Sequence, residues 1–147
     1  MKTSSMLLWA ALILILCACE EKVNIQEQNK AIIRRANDEL FNKGNLAFAD
    51  EVFATDYRKR GPELIKEFVT AVRIAFPDIQ VTVELIVAEG DMVAWQRTHK
   101  GTHQGEYVGI PATGKKITWR SMIFSRFVDG KIVEEWGVGN LREQLRK

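Results

Sequence analysis

A chain of 147 residues with 46% hydrophobic side chains and a formal net charge of +2 suits one domain with a sizeable core. Its 21 basic and 19 acidic residues give a mixed, near-neutral surface, so nothing in the composition provides a footprint for nucleic acid. Both cysteines, Cys17 and Cys19, lie near the N-terminus, which leaves the remainder no thiol for a disulfide, a metal site or a nucleophile.

The N-terminus stands apart. Lys2 precedes an uncharged apolar run over residues 6–16, and Cys17-Ala18-Cys19 follows. A short positive region, a short apolar region and small residues before a cut describe a secretory signal. Spanning a membrane takes about 20 apolar residues, and Glu20-Glu21-Lys22 ends this run sooner. Leu16-Cys17-Ala18-Cys19 resembles a bacterial lipobox; an uncleaved anchor and an ordinary signal peptide are the alternatives. The lipobox implies a signal peptide over 1–18, lipidation at Cys19, a polar tether over 19–28 and a folded domain over 29–147. It also implies a cell-envelope location with membrane contact through the lipid anchor only. In a Gram-negative source that would be the outer membrane, facing the periplasm.

Residues 29–43 carry a helical stripe at Ile32, Ile33, Ala36, Leu40 and Phe41. Gly44 can close that helix in a left-handed conformation, and Asn45 can cap a short second one over 46–53. Arg58-Lys59-Arg60 reads as a solvated basic corner. Pro62 suits the first position of a third helix, whose buried face is Leu64, Ile65, Phe68, Val69, Val72 and Phe76. After Pro77-Asp78, the alternation of Ile79, Val81, Val83 and Leu85 predicts a half-buried strand. Residues 92–99, 116–127 and 131–138 read as three longer strands, and Asp129-Gly130 signals a hairpin. Residues 141–145 can form a last turn of helix. Three helices followed by an antiparallel sheet is an α+β architecture.

Strand alternation predicts that Ile132, Glu134, Trp136, Val138 and Asn140 share one face, if no bulge intervenes. Glu134 among apolar neighbours then either faces a polar cavity as a catalytic acid or pairs with Arg97, Arg120 or Arg126. His103 is a proton carrier by type, its unperturbed pKa being about 6.5; a histidine that merely hydrogen-bonds a turn is the alternative. His99 and His103 cannot share an ion on an extended strand, where four residues span about 13 Å, so no metal is expected. Residues 109–116, Gly-Ile-Pro-Ala-Thr-Gly-Lys-Lys, approach a phosphate-binding loop. Lys116 replaces the hydroxyl residue, Pro111 removes a donor, and a strand-like run follows instead of a helix. A serine hydrolase has no Gly-x-Ser-x-Gly to rest on.

The landmarks Ala75-Phe76-Pro77-Asp78, Ala88-Glu89-Gly90-Asp91, Gly101-Thr102-His103 and Asp129-Gly130-Lys131, separated by strands, resemble the SnoaL-like polyketide cyclase (ester cyclase) family of the nuclear-transport-factor-2-like superfamily. They run in family order from Ala31 to Leu145. The resemblance implies a cone-shaped barrel, a curved antiparallel sheet packed on three N-terminal helices, around a pocket for a small, mostly apolar ligand. It implies a role for His103 within the Gly-Thr-His segment. It also places Asn140 where characterised cyclases carry an acid/base aspartate, and Gln96 where arginine is common. Homodimers through the sheet are frequent in the superfamily.

Two classes of function follow. One is a small-molecule-binding lipoprotein that is also a cofactor-free cyclase or isomerase acting on a small hydrophobic carbonyl compound. Its proton transfer would rest on His103 or Glu134, with Gln96, Trp119, Trp136 and Asn140 as ligand contacts. The other is a non-catalytic ligand-binding or interaction lipoprotein that uses the same pocket. No cofactor is expected in either.

Overall fold

The computed structural model describes residues 25–146. The expected signal peptide and the lipidation at Cys19 lie outside the described residues. Residues 25–37 are already helical (α1), so the last four positions of the expected tether belong to the first helix. Helix α1 buries Ile33 and Ala36, then widens into a π-helical turn, Asp38–Asn42, that buries Leu40 and Phe41. Such turns are rare and concentrate at functional sites. At its end the Asn42 amide bonds both backbone groups of Val81, accepting from N–H at 2.7 Å and donating to C=O at 3.1 Å. That side chain ties the helix end to the sheet as another strand would.

Gly44 closes this segment at φ +73°, as its position predicts. The next helix, α2 (Phe48–Val52), has no side-chain cap, because Asn45 turns back and donates to Glu39 Oε2 at 3.1 Å. Helix α3 (Glu63–Ala75) follows Pro62 directly, buries Val69, Val72 and Ala75, and delivers Phe76 into the core with no exposed surface. Burying a side chain of that size contributes about 2–3 kcal/mol.

Four strands follow in a curved antiparallel sheet of order β1-β2-β3-β4: β1 Gln80–Glu89, β2 Met92–Thr102, β3 Lys116–Val128 and β4 Lys131–Gly139. Asp129 (φ +49°) and Gly130 (φ +73°) make the β3–β4 turn, the two left-handed residues that a tight hairpin needs. Gly114-Lys115 leads into β3 and not into a helix, consistent with a surface loop. A last short helix, α4 (Leu141–Leu145), packs on β3.

Both edge strands are bulged. Val83 pairs with Arg97 and Leu85 with Gln96, so Glu84 is an extra residue in β1; Glu134 pairs with Arg126 and Ile132 with Phe127, so Val133 is extra in β4. A bulge resets which residues face inward. Leu85, expected on the buried face, is therefore 64% exposed, and Ile86 takes its place against the core. The same reset in β4 turns Trp136 and Val138 outward, where with Leu85, Val87, Met122 and Phe124 they form an apolar outer sheet face.

Candidate active site

The central strands keep their alternation, and this places the cavity. Val93, Trp95, Arg97 and His99 of β2 point toward the helices, as do Ile117, Trp119, Ile123, Ser125 and Phe127 of β3. In β4 the Val133 bulge brings in Glu135 in place of Glu134. Glu135 with Arg97, Asn37, Trp95 and the side chains of Leu40, Phe41, Phe53, Ile65, Phe68 and Ile123 encloses an inner chamber of about 60 Å³, room for a few waters. The chamber opens past Arg97, Glu135, Ile65, Phe68 and Ile123 into a vestibule of about 390 Å³. Tyr57, Arg58, Leu64, Ser121 and the backbone of Gly137 and Gly139 also line this vestibule.

Glu135 is the best-supported carboxyl in this space. Its Oε2 accepts from the Tyr57 hydroxyl at 3.0 Å and its Oε1 from Ser125 Oγ at 2.7 Å. Ser125 is completely buried and accepts in turn from Trp95 Nε1 at 2.9 Å. The chain Trp95–Ser125–Glu135–Tyr57 thus fixes the carboxyl on both oxygens. Burial pushes its pKa up, against the opposing pull of the Ser125 and Tyr57 hydrogen bonds and of Arg97. Tyr57 is pushed up as well, first by burial and then by the Glu135 charge, so it stays a hydrogen-bond donor.

Arg97 lies deeper. Its Nη1 donates to Asn37 Oδ1 at 2.8 Å, and the Asn37 amide is itself held by donation to Ile33 O at 2.9 Å. The guanidinium stands 4.4 Å from the Phe41 ring centre and 5.2 Å from that of Trp95. Burial brings its pKa down to about 10, which leaves it charged at neutral pH. Its Nε–H is buried without a partner, a costly condition that a bound oxygen acceptor would relieve. A buried cation and a half-buried carboxyl therefore share one largely apolar cavity, and this arrangement can polarise a carbonyl and exchange a proton beside it.

The side chains expected from sequence fall elsewhere. Glu134 lies on the outer side of the bulge and pairs with Arg126 at 3.2 Å, the structural alternative among its three possible arginines. Gln96 points outward and donates to Glu84 at 2.9 Å, since it alternates with the inward Trp95 and Arg97. Trp136, 47% exposed and paired with Phe124, reaches the cavity only at its mouth. Asn140 donates its N–H to Arg120 O at 3.2 Å and accepts the Arg120 N–H on Oδ1 at 2.9 Å, so its amide extends the β3–β4 pairing and does not line the chamber. Trp119 is core, stacked on His99 with centroids 4.6 Å apart and tilted against Phe76 at 4.7 Å.

His103 has no exposed surface, stacks on Phe76 at 5.1 Å and has Thr113 Oγ1 3.2 Å from its Nδ1. Neither it nor Glu134 lines the cavity that holds Arg97 and Glu135. The Gly-Thr-His segment instead clamps a corner. A Cβ on Gly101 would sit 3.2 Å from Phe76 Cβ, and Thr102 donates its N–H and hydroxyl to Asp78 at 2.6 and 2.7 Å. Gln104 and Gly105 both donate to Ala75 O.

Sequence reasoning missed Glu135, Tyr57, Ser125 and Asn37. The signals present were the Glu134-Glu135 doublet and Trp95-x-Arg97 on a central strand; what was missing was the bulge that chooses between the two glutamates.

Comparison with known proteins agrees with this architecture. The family model described as SnoaL-like polyketide cyclase matches residues 31–147. The chain is 36% identical over 95 residues to aklanonic acid methyl ester cyclase DnrD of Streptomyces peucetius and to the same-named DauD of Streptomyces sp. strain C5. Each match covers 64% of this chain, but only 61% and 55% of those relatives' lengths. Among solved structures, AclR of Streptomyces galilaeus superposes with a TM-score of 0.70 at 32% identity, covering 80% of this chain and 78% of that one. IdmH of Streptomyces antibioticus superposes with a TM-score of 0.66 at 28% identity, covering 82% and 95%. With its helices, curved four-stranded sheet and family-model match over most of its length, the chain belongs to the SnoaL-like polyketide cyclase family.

Proposed function

We propose that this protein is a cyclase- or isomerase-type enzyme that moves a proton next to the carbonyl of a small hydrophobic compound through its own side chains. The observation that carries this reading is Glu135, a carboxyl of raised pKa set in an apolar cavity beside the partly unpaired guanidinium of Arg97. A general base works best with a pKa near the operating pH, and burial moves Glu135 in that direction. In this reading ionised Glu135 takes the proton from the carbon beside the carbonyl, and Arg97 stabilises the enolate oxygen. The enolate carbon then attacks a second carbonyl, or is reprotonated elsewhere, and protonated Glu135 returns its proton to the new oxyanion or carbon. No atom is gained or lost in either outcome. The curated relatives are named as ester cyclases, which supports the first outcome.

The test is deuterium exchange at the carbon beside the carbonyl of 2-tetralone in D₂O, followed by NMR. The full chain should accelerate exchange over buffer, and Glu135→Gln should remove about 100-fold or more of that acceleration, as expected for loss of a general base. Exchange no faster than buffer, or unchanged in Glu135→Gln, would refute the proposal.

A further inference from the structure

The vestibule carries a second cation, which adds to the pull of Arg97 on the Glu135 charge. Arg58 lines its mouth together with Tyr57 and Glu135. Its neighbour Arg60 is paired with Glu67 at 2.8 Å, whereas Arg58 lies close to the Tyr57 hydroxyl and has no ion pair among the described residues. Its backbone is also strained. Arg58 sits at φ +46° and ψ +34°, and Lys59 follows at φ +64°. The left-handed region disfavours any side chain with a Cβ and is comfortable mainly for glycine or asparagine. Strain of this kind persists only where the surroundings impose it, and it gathers at ligand clamps. Here the fixed points are the buried Tyr57 just before it and Gly61 three residues on, whose Cβ would lie 2.6 Å from Thr55 O.

The β4 wall past Glu135 is built around two glycines. Past Glu135, the inward positions of β4 are Gly137 and Gly139, where a Cβ would come within 3.0 Å of Met122 O and 2.8 Å of Ser121 Oγ. Two successive inward glycines expose strand backbone to the vestibule, with Trp136 and Val138 of the same strand and Leu64, Ile65 and Phe68 of α3 among the other lining residues. The charged groups lining the vestibule are Arg58, Arg97 and Glu135, two guanidinium groups against one carboxyl.

From this arrangement we infer that the site takes a flat, carboxylate-bearing ligand, its planar body lying along Gly137–Gly139 and its carboxylate paired with Arg58 at the mouth. The inference rests on the cavity reading above and adds the substrate class. Arg58 then determines specificity, and the planar guanidinium suits bidentate pairing with a carboxylate.

The probes are 2-naphthoate and its neutral methyl ester, titrated against the full chain by tryptophan fluorescence, with Trp95 in the chamber as the reporter. Naphthoate should bind roughly tenfold to a hundredfold more tightly than the ester, the range of a charge-assisted hydrogen bond. Arg58→Gln should erase that preference, and Arg58→Lys should restore part of it. Arg58→Gly supplies an independent readout, since it should raise Tm by relieving the backbone and still lose the preference. Gly139→Val should block both probes. Equal binding of the two probes, or a preference that survives Arg58→Gln, overturns the carboxylate assignment and leaves the Glu135 cavity standing. Failure of both probes to bind overturns the assignment together with the cavity reading.

Discussion

Arg97 and Glu135 face one cavity from β2 and β4 and form no ion pair with each other. Each is held by its own partners instead, Arg97 by Asn37 and Glu135 by Tyr57 and Ser125. A direct pair would have quenched both groups. Kept apart, they leave a polar gap in an apolar chamber.

Glu135→Gln separates stability from chemistry. Burial raises the Glu135 pKa, so the folded protein holds this proton more tightly than the unfolded chain does. Its contribution to stability is fully present below the unfolded pKa and is lost as pH rises through the folded value. A glutamine side chain at this position has nothing to ionise. The variant should therefore melt above wild type at pH 8, with the gap closing toward pH 4, while losing exchange activity. Melting curves across that range check the sign.

Asn37 positions Arg97 without lying on the reaction path. Asn37→Leu keeps a similar shape but leaves a second guanidinium nitrogen unpaired in the interior, at a cost of about 1–3 kcal/mol in unfolding free energy. If the arginine serves as an oxyanion donor, turnover should fall with KM little changed. Asn37→Asp should recover much of the stability by pairing with the cation. Urea melts and separate kcat and KM values measure the two effects.

His99 should dominate the acid limb of stability. Burial first, and Arg97 second, bring its pKa down to about 3 from 6.5. The unfolded chain then takes up a proton that the folded protein refuses, so stability declines as pH falls from 6.5 toward 3. The loss accumulates to something on the order of 4 kcal/mol. His99→Phe, which keeps an aromatic ring against Trp119, should flatten this limb. Equilibrium denaturation at pH 7, 5 and 4 tests it.

Asn140 should tolerate a carboxylate. Its Oδ1 accepts a backbone N–H at the end of the β3–β4 ladder, and aspartate can accept the same bond. Asn140→Asp should change stability by no more than about 0.5 kcal/mol and leave exchange of 2-tetralone intact, whereas Asn140→Leu should cost about 1 kcal/mol. Loss of exchange in Asn140→Asp would return this residue to the site.

The element order, the hairpin at Asp129-Gly130 and the left-handed Gly44 were legible in the amino-acid sequence. Those features are local: turn chemistry and a period of two are written into neighbouring residues, and β2 and β3, paired on both sides, have no freedom to slip. The site was decided by contacts distant in sequence. Residue 133 bulges where β4, at Ile132, also meets Phe53 and Ala54 on its far side, and that one extra residue exchanges Glu134 for Glu135 at the cavity. Tyr57 reaches Glu135 across 78 residues of chain, and Asn37 reaches Arg97 across 60. His103 was read as a proton carrier from its residue type, but Phe76 and Thr113 hold it in the corner made by the Gly-Thr-His segment. A strand pattern states which residues alternate. Only the packing of an edge strand against its second neighbour fixes where that alternation breaks.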